Sequence, residues 1–403
     1  MPYQTLETLN LTGKTVLLRA DLNVPAKDGV VTDFTRIDRL QKTADFLKGQ
    51  GAKIVFISHF GRPKGEVKPE FSLNFLAPVI QDRLGLDVSF SSSCIGDEAK
   101  QQIDSLENGQ AILLENLRFH KGEEANDPNF AAELAKLGDF YVNDAFSTAH
   151  RAHASTEGLA HLLPTAAGFL MNAELEALSN ALEVPQKPVM AIVGGAKIST
   201  KLALLNNLVK KVDMLVLGGG MANTFLFAKG VEVGKSLCEK DMVSEAREII
   251  KTAEAHGCEI ILPKDRVIIK EFGENAPHSI VGAEDIPADM EAIDIGPDTV
   301  TMLTEILETT KTVLWNGPMG VFEVKPFDNG TNTLAQAVAA QTKTSGLVSI
   351  AGGGDTVAAL ENAGVASDFT YISTAGGAFL EWLEGKTLPG VAALEKAYER
   401  AAA

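Results

Sequence analysis

Two lysines follow a pair of glycines in AIVGGAKISTKL (191–202). On a helix begun after Gly195, Lys197 and Lys201 stand four residues apart and share one face. Like charges so placed repel unless an anion lies opposite, which makes the pair a phosphate candidate. The same spacing also suits a solvent-washed helix surface, and the stretch does not match GxxxxGK[ST]. A second group occupies the first half. Arg36, His59, Arg62, Arg118 and Arg151 fall on or near loops after short apolar runs, with Asp21 and Asn23 in DLNVP. Arginine forks pair with phosphate and carboxylate bidentately, and Asp or Asn takes a hydroxyl. Together they suggest a small molecule with two anionic ends and a hydroxyl between. One such arginine alone would read as a surface ion pair; several at strand ends would not. His150 and His153 in HRAH have metal-ligand chemistry. With no carboxylate or thiolate beside them, phosphate contact or structural hydrogen bonding fits better.

These residues need a frame. Runs rich in Val, Ile and Leu recur at 14–20, 52–58, 111–116 and 139–144, and again at 188–195, 212–220, 258–263, 312–317 and 347–354. They are continuous rather than alternating, as in parallel strands buried on both faces, and helical patterns lie between them. The expectation is an α/β chain of two doubly wound (Rossmann-like) parallel-sheet domains joined by a helical hinge. Leu170, Leu175, Leu178 and Leu182 mark that helix, and Pro185 and Pro188 stop it. The expected domains are 1–170 for the doubly anionic ligand and 171–385 for a nucleotide, with 386–403 a Pro-Gly turn and short helix.

Ligands of open parallel sheets bind beyond the carboxyl ends of the strands. In the first half those ends carry charged and polar side chains; in the second they carry glycines. LVSIAGGGDTVAAL reads as strand, turn and helix, with Gly352, Gly353 and Gly354 offering backbone N–H groups to phosphate and Thr356 at the helix start. Asp355 would repel bare phosphate but can hold a Mg²⁺ that bridges phosphates. VDMLVLGGGMANTF, with Gly219, is a second such turn. In WNGPMGVFE, Gly317 and Pro318 make a tight loop able to wall a base or ribose, and Glu323 is either a ribose acceptor or a surface carboxylate. Beside this glycine edge, Lys197 and Lys201 read as ligands rather than surface.

Composition narrows the classes. The chain has 403 residues, long enough for two cores, and a net charge of −17, which disfavours nucleic acid and acidic membranes. Cys94, Cys238 and Cys258 are scattered, form no CxxC and read as incidental buried thiols. The start lacks a basic and apolar leader pattern, and no apolar run approaches the roughly 18–20 residues of a spanning helix. A cytoplasmic monomer is expected. A nicotinamide-dependent dehydrogenase is disfavoured, because no early GxGxxG is followed by a ribose-binding acid.

DLNVP, HFGRPKG, ENLRFHKGEE, AHRAHAST, GGAKISTKL, WNGPMGVFE and GGGDT, in this order, strongly resemble phosphoglycerate kinases, from about residue 14 to the end. The resemblance implies a two-lobed kinase with a hinge. It would move a phosphoryl group reversibly between 1,3-bisphosphoglycerate and Mg-ADP, giving 3-phosphoglycerate and ATP. By that resemblance the glycerate ligand belongs to Asp21, Asn23, Arg36, His59, Arg62, Arg118 and Arg151. The nucleotide belongs to Lys197, Lys201, Gly219, Gly296, Asn316, Pro318, Glu323, Gly352–Gly354, Asp355 and Thr356, with Asp355 near Mg²⁺. Arg36 and Lys201 would lie nearest the transferred group, Lys197 acting with them, and the C-terminal segment would pack back on the first domain. Two departures stand out. Ser147 and Ala375 occupy places where glycine is expected, and an alanine at positive φ would be strained. A non-catalytic binding protein on the same fold is the alternative.

Overall fold

The computed structural model describes residues 3–402. The chain forms two compact units, one running up to Leu175 together with the chain from Thr387 onward, the other Glu176–Lys386. The division falls inside the helix Phe169–Leu182, later than the boundary expected at 170.

The first unit is built on a six-stranded parallel sheet. Its order is Val88–Ser91, Ala111–Leu114, Lys53–Ile57, Thr15–Arg19, Phe140–Asn143, Thr165–Ala167. The second unit repeats the plan with Glu259–Ile261, Met214–Leu217, Val189–Val193, Thr312–Asn316, Val348–Gly352 and Tyr371–Ser373. Central strands such as Val189–Val193 are buried along their whole length, which is why their sequences are apolar without alternation. All nine expected runs contain a strand. The strands not expected are short and marginal: Val88–Ser91 is buried only at its two ends, and Thr165–Ala167 and Tyr371–Ser373 have three residues each. A small antiparallel sheet, His278–Gly282, Asp265–Ile269, Glu291–Ile295, was also not expected.

In each large sheet the first strand in the chain is central, and later strands are added on both of its sides. In the first it is Thr15–Arg19, between Lys53–Ile57 and Phe140–Asn143; in the second it is Val189–Val193, between Met214–Leu217 and Thr312–Asn316. Loops diverge there and leave a crevice.

Helix Pro389–Ala402 belongs to the first unit. Gly390 donates its N–H to the Ala149 carbonyl at 2.9 Å, Arg400 donates to the Ala160 carbonyl at 2.7 Å, and Ala393 joins Leu134 and Leu159 in the core. Asp144 anchors the helix Phe169–Leu182, accepting from the Met171 N–H at 2.9 Å and the Thr43 hydroxyl at 2.6 Å. Ala375 carries no strain: the left-handed residue of its loop is the next one, Gly376, at φ +53°.

Candidate active site

At the first crevice, Asp21 follows the central strand and is fixed on both carboxylate oxygens. Oδ1 accepts from the Asn23 N–H at 3.2 Å; Oδ2 accepts from Arg36 Nη1 at 2.7 Å and Ser147 Oγ at 2.5 Å. Arg36 Nη1 also reaches the Asn23 carbonyl at 2.9 Å, and Asn23 Oδ1 accepts from the Gly61 N–H at 2.9 Å. The unexpected serine is therefore not inert: its hydroxyl braces the acid that holds Arg36.

Arg118, 3% exposed, follows the strand Ala111–Leu114 on a short turn set by Asn116, whose side chain accepts from the Arg118 N–H at 3.0 Å. Its Nη1 donates to the Gly61 carbonyl at 2.8 Å, and its Nε stands 3.2 Å from Glu124. Arg62 is exposed and Arg151 half-buried, with Arg151 Nε 3.2 Å from His150 Nε2. His59 is buried at 5% exposure, and burial with the cations Arg19, Arg118 and Arg151 holds its imidazole well below the usual range. His153 is held down to about 4, by burial first and then by the same arginines. Such neutral imidazoles suit hydrogen bonding. Among the described residues no group of three or more His, Cys, Asp or Glu could hold a metal ion.

Three residues that the sequence reading passed over lie beneath. Arg19, Glu123 and Ser155 are all essentially inaccessible. The only hint was an arginine closing an apolar strand in KTVLLRA.

The second crevice is made of backbone. Gly194 follows the strand Val189–Val193, Asn316 ends its neighbour Thr312–Asn316, and Lys201 Nζ sits between them. It donates to the Gly194 carbonyl at 2.8 Å, the Asn316 carbonyl at 3.2 Å and Asn316 Oδ1 at 2.6 Å. All three ammonium protons thus have acceptors. Burial lowers the Lys201 amine to about 8, and only Asp355 pulls the other way. A methyl group on Gly194 would fall 1.7 Å from the Pro318 carbonyl oxygen, so no other residue fits without moving that loop. Gly353, at φ +99°, precedes the helix Gly354–Asn362, and Thr356 Oγ1 ties the edge together: it accepts from the Gly317 N–H at 2.7 Å and donates to the Gly352 carbonyl at 2.9 Å.

Beside this edge lies a cavity of about 520 Å³. Gly219, Pro318, Glu323 and Asp355 line it, as expected residues, together with Gly195. So do Val321, within WNGPMGVFE, and Leu237, Phe272 and Ile293, which no motif marked. Phe272 is 58% exposed, an apolar ring left at the cavity wall.

One expectation fails here. Lys197 and Lys201 do not share a helix face, because the helix is Leu202–Leu208 and Lys201 is its N-cap, at φ −126°. The Glu239 carboxylate takes the Ser199 N–H at 3.0 Å and its hydroxyl at 2.5 Å, holding 198–201 as a turn. Lys197 is left exposed while Lys201 turns inward. Gly296 is not among the residues of this cavity. It caps the helix Pro297–Leu307, packs against Asp265 and lines a separate apolar cavity with Val267 and Val300.

Known proteins resemble this chain over nearly its whole length. A family model described as phosphoglycerate kinase matches residues 6–386. A phosphoglycerate kinase of Rhodospirillum centenum is 61% identical over 394 residues, 98% of this chain and 100% of the relative. One from Sinorhizobium fredii is 57% identical over 397 residues, again 98% and 100%. Among solved structures, phosphoglycerate kinase from Coxiella burnetii has a TM-score of 0.91 at 43% identity, over 98% of this chain and 99% of that one. The enzyme from Pyrococcus horikoshii OT3 has a TM-score of 0.81 at 32% identity, over 98% and 100%.

Proposed function

The chain belongs to the phosphoglycerate kinase family, and on that premise we propose how its two sites divide the work. The reaction is reversible phosphoryl transfer between 1,3-bisphosphoglycerate and ADP, giving 3-phosphoglycerate and ATP. The alternative of a non-catalytic binding protein finds no support among these relatives.

The glycerate ligand belongs on the first unit. Arg62, Arg118 and Arg151 pair with its anionic ends, His59 donates a hydrogen bond, and Asp21 and Asn23 address the hydroxyl. The nucleotide belongs on the second. Its base packs in the cavity against Phe272, Ile293 and Val321, Glu323 accepts from the ribose, and its phosphates approach the Gly352–Gly354 turn, Thr356 and the lysines. Asp355, exposed in the first helical turn and lining the cavity, fits Mg²⁺, which one carboxylate and the nucleotide phosphates commonly suffice to hold. When bound with the nucleotide, that ion neutralises phosphate charge.

The observation that carries this reading is the placement of Lys201 Nζ at the second switch point, between the ends of two strands. An acyl phosphate has a good leaving group and the ADP terminal oxygen is already ionised, so no general base is required. Phosphoryl transfer then rests on positioning and charge stabilisation. Lys201 exchanges its carbonyl acceptors for phosphoryl oxygens, and Arg36 meets the group from the other ligand's side, with Lys197 a weaker contributor. In-line transfer requires closure that brings the two ligands together and expels water. A cytoplasmic monomer without nucleic-acid or membrane partners accords with the net charge of −17 and with the lack, among the described residues, of any helix long and apolar enough to cross a membrane. The test is a coupled assay with 3-phosphoglycerate and Mg-ATP. Product formation dependent on both substrates supports the reading; no turnover under those conditions rejects it.

A further inference from the structure

We infer that Arg19, anchored by Ser155 and Glu123, is a positioning residue that fixes His59 as the neutral Nε2–H tautomer, so that His59 offers substrate a donor without adding a charge. The inference rests on the assignment of His59 to the glycerate ligand.

Arg19 is 1% exposed at the carboxyl end of the central strand. Its Nη2 lies 3.0 Å from His59 Nδ1 and its Nε donates to Ser155 Oγ at 2.9 Å. Ser155 in turn donates from Oγ to Glu123 Oε1 at 2.6 Å and from its N–H to Oε2 at 3.0 Å. Burial alone raises the Glu123 carboxyl, but Arg19 and Ser155 pull it down, and both of its oxygens accept hydrogen bonds as a carboxylate's do, so the relay carries an anion at one end and a cation in the middle. An arginine can only donate. His59 Nδ1 must therefore be the acceptor, and the ring proton must sit on Nε2. Turning the ring over would set a carbon against the guanidinium and lose the bond. Imidazolium is excluded by the same contact, since both of its nitrogens would carry protons.

The surroundings act in the same direction. The charged and titratable groups that bear on His59 are Arg19 from its strand, Arg118 from the next loop, and Arg151 and His153 from the segment beyond Phe140–Asn143, with burial the largest influence. None favours a protonated ring, and Glu123 is separated from it by Ser155 and Arg19. A site already holding several arginines gains a directed hydrogen bond and no further repulsion. The geometry also explains a buried arginine that touches neither solvent nor any expected ligand residue except His59.

The test uses the full chain labelled with ¹⁵N, reading the His59 ring by long-range ¹H–¹⁵N correlation with His59→Gln for assignment. Between about pH 6 and 8, where an unperturbed histidine would titrate, the expected spectrum shows unprotonated Nδ1 and protonated Nε2 throughout. A proton on Nδ1, or titration to imidazolium in that window, overturns the inference. Adding 3-phosphoglycerate should move the Nε2–H signal. If the tautomer is as expected but that signal does not respond, the assignment of His59 to substrate fails while the role of Arg19 stands. Arg19→Met should mix the tautomers and raise KM for 3-phosphoglycerate about tenfold, the effect of one lost charge-assisted hydrogen bond, with kcat within about twofold. Arg19→Lys, which keeps a donor, should recover part of the loss. Should Arg19→Met not fold, Ser155→Ala, which loosens the anchor, must still weaken the tautomer preference; an unchanged ring in a folded Ser155→Ala protein counts against the relay.

Discussion

In the first unit, cations are held by other charged and polar side chains: Arg36 by Asp21, Asp21 by Ser147, Arg19 by Ser155 and Glu123. In the second, one buried ammonium is held by carbonyl and amide oxygens at the ends of two strands, among glycines that leave backbone bare. On the proposed reading both serve anions, by different means. A side-chain network fixes direction and suits a small ligand with distinct ends. A bare glycine edge admits a chain of phosphates and keeps a single mobile charge for the group that moves. Two kinds of substitution should therefore fail differently.

The largest effect is expected for Lys201→Ala. Losing one preorganised electrostatic donor lowers kcat by about 10²–10³, while KM for 3-phosphoglycerate stays put; steady-state kinetics with each substrate varied separates the two. Arg118→Ala should do the reverse, raising KM for 3-phosphoglycerate about 10- to 100-fold, the equivalent of roughly 1.5–3 kcal/mol for a hydrogen bond to a charged group, with KM for Mg-ATP unchanged. Gly194→Ala tests the bare edge. Its methyl group would meet the Pro318 carbonyl, so the variant should lose about 1–3 kcal/mol of stability and bind nucleotide more weakly, read by thermal melts with and without Mg-ATP.

The two regions should also differ in pH response. Burial sets the Lys201 amine at about 8 in the free enzyme, so its cation is lost as pH rises through 8. The kcat/KM for nucleotide should fall about tenfold per unit above that point, whereas the affinity for 3-phosphoglycerate, held by arginines that do not titrate, should stay level. Nucleotide phosphates favour the charged amine, so kcat should fall only at higher pH. The smallest effect is expected for Ser147→Ala, which removes a brace and not a ligand. KM for 3-phosphoglycerate should rise about two- to fivefold, near the value of one neutral hydrogen bond, and an unchanged KM would show that Asp21 needs no help.

The strands were legible because buried parallel strands have apolar sequences, and the two sites because their loops follow those strands. What stayed hidden was set by tertiary contact. Nothing local shows that Glu239 would cap Ser199 and end the lysine helix before it began, leaving Lys197 outside and Lys201 inside. Phe272 and Ile293 flank or lie on an antiparallel sheet whose sequence carries no motif, so the apolar wall of the cavity was invisible. Gly296, implied by the resemblance alone, follows a strand of that same sheet and caps the next helix, a place no local pattern announces. Ser147 raised concern about loop shape; its value became clear only when its hydroxyl was found on Asp21.

The central claim is that charge for the moving group comes from the second unit and recognition of the glycerate end from the first. Lys201→Ala, Arg118→Ala and the double variant, assayed with both substrates varied, test it most directly. The first should lose kcat, the second 3-phosphoglycerate affinity, and the double variant should show both losses independently. Near wild-type kcat in Lys201→Ala, or an Arg118→Ala variant that binds Mg-ATP as poorly as 3-phosphoglycerate, would overturn this division.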